Sequence, residues 1–140
     1  MTPVFFTDRD LGLKFPQTLA GAGLSVERHS AHFADSAPDE EWLSHVGQQG
    51  WVALTHDKRI RYKQNELDAV MHHGVALLVI VGRVRLEDLA RSFVATLPRI
   101  ARFLQNNRPP FIAKVYRASP AELKRDGGAP GRVELWYPQR

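Results

Sequence analysis

No cysteine occurs among the 140 residues, which excludes disulfides and thiolate-bound zinc and fits a reducing compartment. Long apolar runs are missing too. The longest, residues 75–81, falls far short of the roughly 20 residues that a membrane-spanning helix needs. No leader peptide is visible, since Met1-Thr2-Pro3 passes directly into a strand-like segment. Internal repeats and low-complexity tracts are absent as well. His29 with His32, and His72 beside His73, lack the second paired motif that zinc spacing requires. A soluble, cytoplasmic protein with no membrane partner is the expectation.

What is present is ordinary in bulk and uneven in distribution. Apolar residues make up 44% and charged residues 24%, as in common globular domains. The length suits one domain, residues 1–140, with its core in about 3–107 and a C-terminal extension in 108–140. Net charge is +4, but residues 1–80 carry −3 and residues 81–140 carry +7. A basic surface beside an acidic site suits a polyanionic substrate, although arginine-rich surfaces also serve solubility alone.

Short apolar runs at 3–7, 24–28, 51–55 and 75–81 read as strands. Between them, 16–22, 38–49 and 61–73 carry helical periodicity, with Gly23, Gly50 and Gly74 positioned to end each helix. A longer helix follows from 86 to about 107. Phe93, Leu97, Ile100 and Leu104 form its apolar stripe, and Pro98 should kink or split it. Further strands are expected at 111–117 and 132–137, with a Gly- and Pro-rich loop that has room for one helical turn at 118–131. The β-α alternation predicts an α/β fold: a mainly parallel central sheet between helical layers, in the order 2-1-3-4, plus C-terminal strands.

Asp8 follows the first strand and Asp57 the third, so both belong at the carboxyl edge of the sheet, where α/β proteins bind ligands. With those strands as neighbours, the carboxylates stand about one strand spacing apart, ~4.8 Å. Like charges that close call for a cation or a shared proton. Asp10 and the Asp39-Glu40-Glu41 run could complete a cup of oxygen ligands of the kind that hard divalent cations take. A plainer account also exists. Acids in a helix's first turn complement its dipole, and aspartate after a strand is a common turn residue.

Three segments in order carry a resemblance: Phe5-Phe6-Thr7-Asp8-Arg9-Asp10-Leu11-Gly12, then Asp39-Glu40-Glu41-Trp42-Leu43, then Gly50 through Trp51-Val52-Ala53-Leu54-Thr55-His56-Asp57-Lys58-Arg59-Ile60. Together they resemble the PIN-like nuclease domain, and are closest to its compact VapC45-like branch, over roughly residues 3–107. The resemblance implies a PIN-like three-layer sandwich and a Mg²⁺- or Mn²⁺-dependent ribonuclease, the toxin of a type II toxin–antitoxin pair. It also implies RNA as substrate and a cognate antitoxin as partner, and such toxins often pair as homodimers. By the same likeness, Asp8 is the first-strand metal ligand, Asp39 the helix-borne acid and Asp57 the acid after the third strand. The wider pattern often includes one more acid shortly after that aspartate. Here the nearby position is Arg59, so a further ligand comes from Asp10 or Glu40 or is missing. That departure favours the alternative, a catalytically silent PIN-like protein that binds RNA or a partner.

For cleavage, Asp10 or Glu40 would accept a proton from the attacking water. Arg9, Lys58, Arg59 and Arg61, next to the acids in sequence, would grip flanking phosphates, unless they are only a solvated helix start. Thr7 and Thr55 could orient a carboxylate but read more simply as β-branched strand ends. His56 reads as loop-exposed. Trp42 and Trp51 look like core, whereas Trp136 and Tyr137 are better candidates for an exposed aromatic surface.

Overall fold

Neighbouring residues of the first strand, Phe5 and Phe6, must point to opposite sides of a sheet, so both faces need a helical cover. The computed structural model, which describes residues 2–139, supplies it. The strands are β1 (Val4–Thr7), β2 (Ser25–Arg28), β3 (Val52–Thr55), β4 (Ala76–Ile80), β5 (Phe111–Tyr116) and β6 (Arg132–Tyr137). They form one sheet in the order β2-β1-β3-β4-β5-β6. The first five run parallel and β6 returns antiparallel along β5. The expected 2-1-3-4 order is therefore present, and the two C-terminal strands extend the sheet at one edge. Strand β4 is buried at every position, as befits a central parallel strand covered on both sides.

The helices are α1 (Lys14–Gly21), α2 (His29–His32), α3 (Asp39–Gln49), α4 (Gln64–His73), α5 (Leu86–Asn106) and α6 (Pro120–Arg125). Helices α1 and α5 cover one face, where Phe93 sets its ring edge-on to Phe5 and Phe15 at 5.3 and 5.9 Å. Helices α3 and α4 cover the other, where Phe6 stacks on the buried Trp42 at 5.4 Å. Gly50 and Gly74 end α3 and α4 in left-handed conformation, φ 71° and 68°, as their positions in the sequence predict. No helix among the described residues is long and apolar enough to cross a membrane.

Two segments differ from the sequence expectation, and the short helix α2 stands where the sequence pattern offers none. The stretch 61–73 is not one helix: a 3₁₀ turn at Ile60–Tyr62 ends at Lys63, whose extended backbone separates it from α4. Pro98 does not split α5, which runs unbroken through it. A proline there removes only one backbone bond, while burial of Phe93, Thr96 and Ile100 on either side holds the helix. Within 118–131 the expected helical turn is α6, which Ser119 and Glu122 start with a reciprocal capping box.

Helices α3 and α4 approach so closely that Gly47 has no room for a side chain. A Cβ there would collide with the His73 carbonyl oxygen and lie 2.9 Å from the His73 Cβ. Glycine to alanine inside a helix ordinarily stabilises by about 0.5–1 kcal/mol, but overpacking against rigid backbone costs about 1–3 kcal/mol. Gly47→Ala is therefore expected to lower stability in urea unfolding. Gly21→Ala, which has nothing within 4 Å, should be neutral or stabilising. A stabilised Gly47→Ala protein would show that the two helices are free to separate.

Candidate active site

The site is built where the chain leaves β1 and β3. The Asp8 N–H donates to the Leu54 carbonyl at 2.9 Å, so the end of β1 is stitched to β3 and Asp8 comes to lie beside Thr55. The Asp8 carboxylate caps the following 3₁₀ turn (Arg9–Leu11), accepting from the Arg9 N–H at 2.7 Å. That turn brings Asp10 back over the same rim, where it accepts from the His56 N–H at 3.0 Å. Thr55 ties the group together. Its fully buried hydroxyl lies 2.9 Å from Asp8 Oδ2 and 3.2 Å from Asp10 Oδ2, and it accepts from the Asp57 N–H at 3.2 Å. One hydroxyl has one proton, so Asp8 and Asp10 compete for it or share it in a bifurcated bond.

Charge is poorly balanced here. Burial, with the neighbouring Asp10 and Asp39 carboxylates adding to it, pushes the Asp8 carboxyl up to about 7 despite hydrogen bonds from Thr55 and Arg9. Asp10 is also raised, chiefly by burial, with Asp57 contributing, against the bonds from His56 and Thr55. Asp10 as a residue is exposed, so its crowding is confined to the oxygens that face Thr55 and His56. Asp57 behaves oppositely. Burial pushes it up, but Lys63 Nζ at 2.6 Å and the Arg59 N–H at 2.9 Å outweigh that and hold it below its ordinary value.

The structure thus brings Asp8 and Asp10 together around Thr55, with Asp57 beside them and Asp39 within electrostatic reach of Asp8. It does not draw them into a closed ligand shell. Among the described residues, no three acidic or histidine side chains are placed to share one ion. The reason lies in two competing partners. Asp39 accepts from the Trp42 indole N–H at 2.9 Å, and Asp57 is turned to Lys63. Glu40 stands apart, exposed beside Asn65, Asp68 and His72 on α4.

Of the basic candidates, Arg9 is engaged with Asp35 and with the Phe33 carbonyl. Lys58 and Arg59 are exposed, and Arg61 lies against the rings of Tyr62, Trp136 and Tyr137. Thr7 is a buried strand end, as expected, whereas Thr55 is much more than that. His56 is half-buried rather than loop-exposed, and its Nδ1 is buried with no partner. Lys63 escaped the sequence reading altogether. Its contact with Asp57 depends on the break between the 3₁₀ turn and α4, which helical periodicity across 61–73 conceals.

A three-layer α/β fold gathers aspartates at the carboxyl ends of two adjacent parallel strands, the edge at which open α/β sheets bind ligands. The chain belongs to the PIN-like domain family: the family model described as a PIN like domain matches residues 3–82, from the entry to β1 to just past β4. That stretch contains Asp8, Asp10, Asp39 and Asp57. Comparison with the curated proteins, and with the solved structures, gave no match.

Proposed function

We propose that this protein is a Mg²⁺- or Mn²⁺-dependent endoribonuclease, of the VapC45-like kind, acting as the toxin of a type II toxin–antitoxin pair. The observation that carries the reading is the Asp8–Asp10 pair over the Thr55 hydroxyl, two crowded carboxylates with no cationic side chain bonded to either among the described residues. Such a pair disfavours its own ionisation, and a divalent cation relieves that cost. The donor set is all oxygen, which fits Mg²⁺ or Mn²⁺ and not a soft ion. Asp8 and Asp10 would hold the ion. Asp39 and Asp57, oriented by Trp42 and Lys63, would have to turn toward that pair to join.

When bound, the ion would supply charge stabilisation for in-line attack of water on a phosphodiester. The chain's own groups divide the remaining work. Thr55 fixes the orientation of both carboxylates, and the His56 N–H holds Asp10 against the rim. Lys58 and Arg59, exposed just past Asp57, are placed to meet phosphates on either side of the cut. Lys63 keeps Asp57 ionised. The same lysine supports a second reading. An ammonium occupying Asp57, with Arg59 where a further acid would stand, is compatible with a PIN-like protein that binds RNA or a partner without cutting it.

The test is incubation of a mixed RNA pool with purified protein and Mn²⁺, with and without chelator. Cleavage that the chelator stops is the expected result. Intact RNA under all conditions removes the ribonuclease reading and leaves the binding one. Growth arrest on expression, relieved by a protein encoded beside it, is the expected sign of a toxin held by its antitoxin.

A further inference from the structure

The residues beyond the matched family region build a surface of their own. On the face of the sheet shared with α3 and α4, strands β5 and β6 carry Lys114, Tyr116, Arg132, Glu134 and Trp136, none of them buried. Strand alternation aligns these five on one side, while Val133 and Leu135 turn to the core under α5. The Lys114 ammonium sits 4.0 Å from the centre of the Trp136 ring, and the Arg132 guanidinium 4.1 Å from that of Tyr116. The 3₁₀ turn after Asp57 leans onto this patch. Tyr62 meets Trp136 edge-on at 5.7 Å, and Arg61 lies 5.4 Å from the centres of both Trp136 and Tyr137.

Two properties select the occupant. Tyr62 is 72% exposed, an open aromatic ring on a short turn. Arg61 and Lys114 form no ion pair among the described residues, although Arg132 is paired with Glu134. The other large apolar side chains left exposed, Leu13 and Val84, belong to different segments, so the patch is not a general apolar docking face. One open ring beside cations that form no ion pair matches an unpaired base and its flanking phosphates. A duplex, with its bases stacked inside, offers nothing to Tyr62.

We infer that Tyr62, with Arg61 and Lys114 held on Trp136, forms a binding track for single-stranded RNA that leads to the acidic rim. Tyr62 stacks on a base, and the two cations take the phosphates on either side. Lys63, the next residue, is bonded to Asp57, so the turn that carries Tyr62 ends at the acidic rim. The inference deepens the ribonuclease reading and rests on it for the choice of RNA, but its test does not require cleavage.

The experiment is fluorescence anisotropy with a labelled oligouridine in chelator, alongside the same measurement on an RNA duplex. Wild-type protein is expected to bind the single strand in preference. Tyr62→Ala, at an exposed position that leaves the core untouched, should weaken binding about ten-fold, the effect of removing one stacked base. Tyr62→Phe should retain it. Lys114→Ala and Arg61→Ala should weaken binding and reduce its salt dependence. Equal binding by wild type and Tyr62→Ala, no binding by wild type at low salt, or a preference for duplex would each overturn the track. Mn²⁺-dependent cleavage by wild type separates the two ideas. If Tyr62→Ala binds and cuts like wild type, the track is wrong and the nuclease reading stands. If Tyr62→Ala loses binding but wild type never cuts, the track stands and the nuclease reading falls.

Discussion

Asp8→Asn is expected to make the protein more stable at pH 8 while abolishing any Mn²⁺-dependent cleavage. The sign follows from linkage. In the folded protein Asp8 gives up its proton at about 7, whereas its ordinary value is 3.8. The native state therefore holds a proton that the unfolded chain has already released in the window between those values. Stability associated with this group is fully present below about pH 4, falls as pH rises through the window, and is lost above about 7. The interval corresponds to at most about 4 kcal/mol, and asparagine, which never ionises, should recover about 2–4 kcal/mol at pH 8. Geometry permits the change. An asparagine oxygen can still accept from the Arg9 N–H, and its amide can donate to the Thr55 hydroxyl, which then turns its proton to Asp10.

Urea unfolding in chelator at pH 5 and pH 8 checks this. Wild type should lose stability between the two, and Asp8→Asn should lose less. Asp57 works in the other direction, since its lowered value contributes stability that disappears only when pH falls below the ordinary carboxylate range. A variant that gains stability and loses chemistry marks a residue kept for function at the expense of the fold. If Asp8→Asn proves no more stable than wild type at pH 8, the crowded-carboxylate account of the site fails.

The parts of the molecule that could be read from sequence are those in which local chemistry and tertiary context agree. Each apolar run bounded by polar turns became a strand, and Gly50 and Gly74 ended their helices because only the left-handed region suits those positions. Asp8, Asp39 and Asp57 were legible because they sit one or two residues past, or at the start of, such elements. Thr55 was not. A threonine closing a strand is unremarkable until the register places it beside Asp8, and register is a property of strand pairing rather than of the strand. Lys63 was hidden for a related reason, since the pattern of Leu67, Val70 and Met71 extends backwards smoothly through Tyr62 and masks the extended residue between turn and helix. The orientation of Asp39 toward Trp42 is an i, i+3 contact within one helix turn that spacing permits but does not require.

Thr55→Val tests whether the hydroxyl between the aspartates governs the site. The two side chains have nearly the same shape, so the buried position stays filled and the strand keeps a β-branched residue. What disappears is a donor to an aspartate at 2.9 Å and an acceptor for the Asp57 N–H at 3.2 Å. A hydrogen bond to a charged group contributes about 1.5–3 kcal/mol, and an unsatisfied buried N–H costs about 1–3 kcal/mol. The variant should therefore be about 2–4 kcal/mol less stable at pH 8. Its deficit should shrink at pH 5, where Asp8 is protonated and has a proton of its own to donate. Without the hydroxyl, the Asp8 and Asp10 carboxylates repel with nothing shared between them, so Mn²⁺ should be bound more weakly even though no oxygen ligand has been removed. Urea unfolding at the two pH values, with Mn²⁺ titration followed by calorimetry, reads both effects. A Thr55→Val protein with wild-type stability and wild-type Mn²⁺ affinity would reduce Thr55 to a strand end and leave the aspartates to organise themselves.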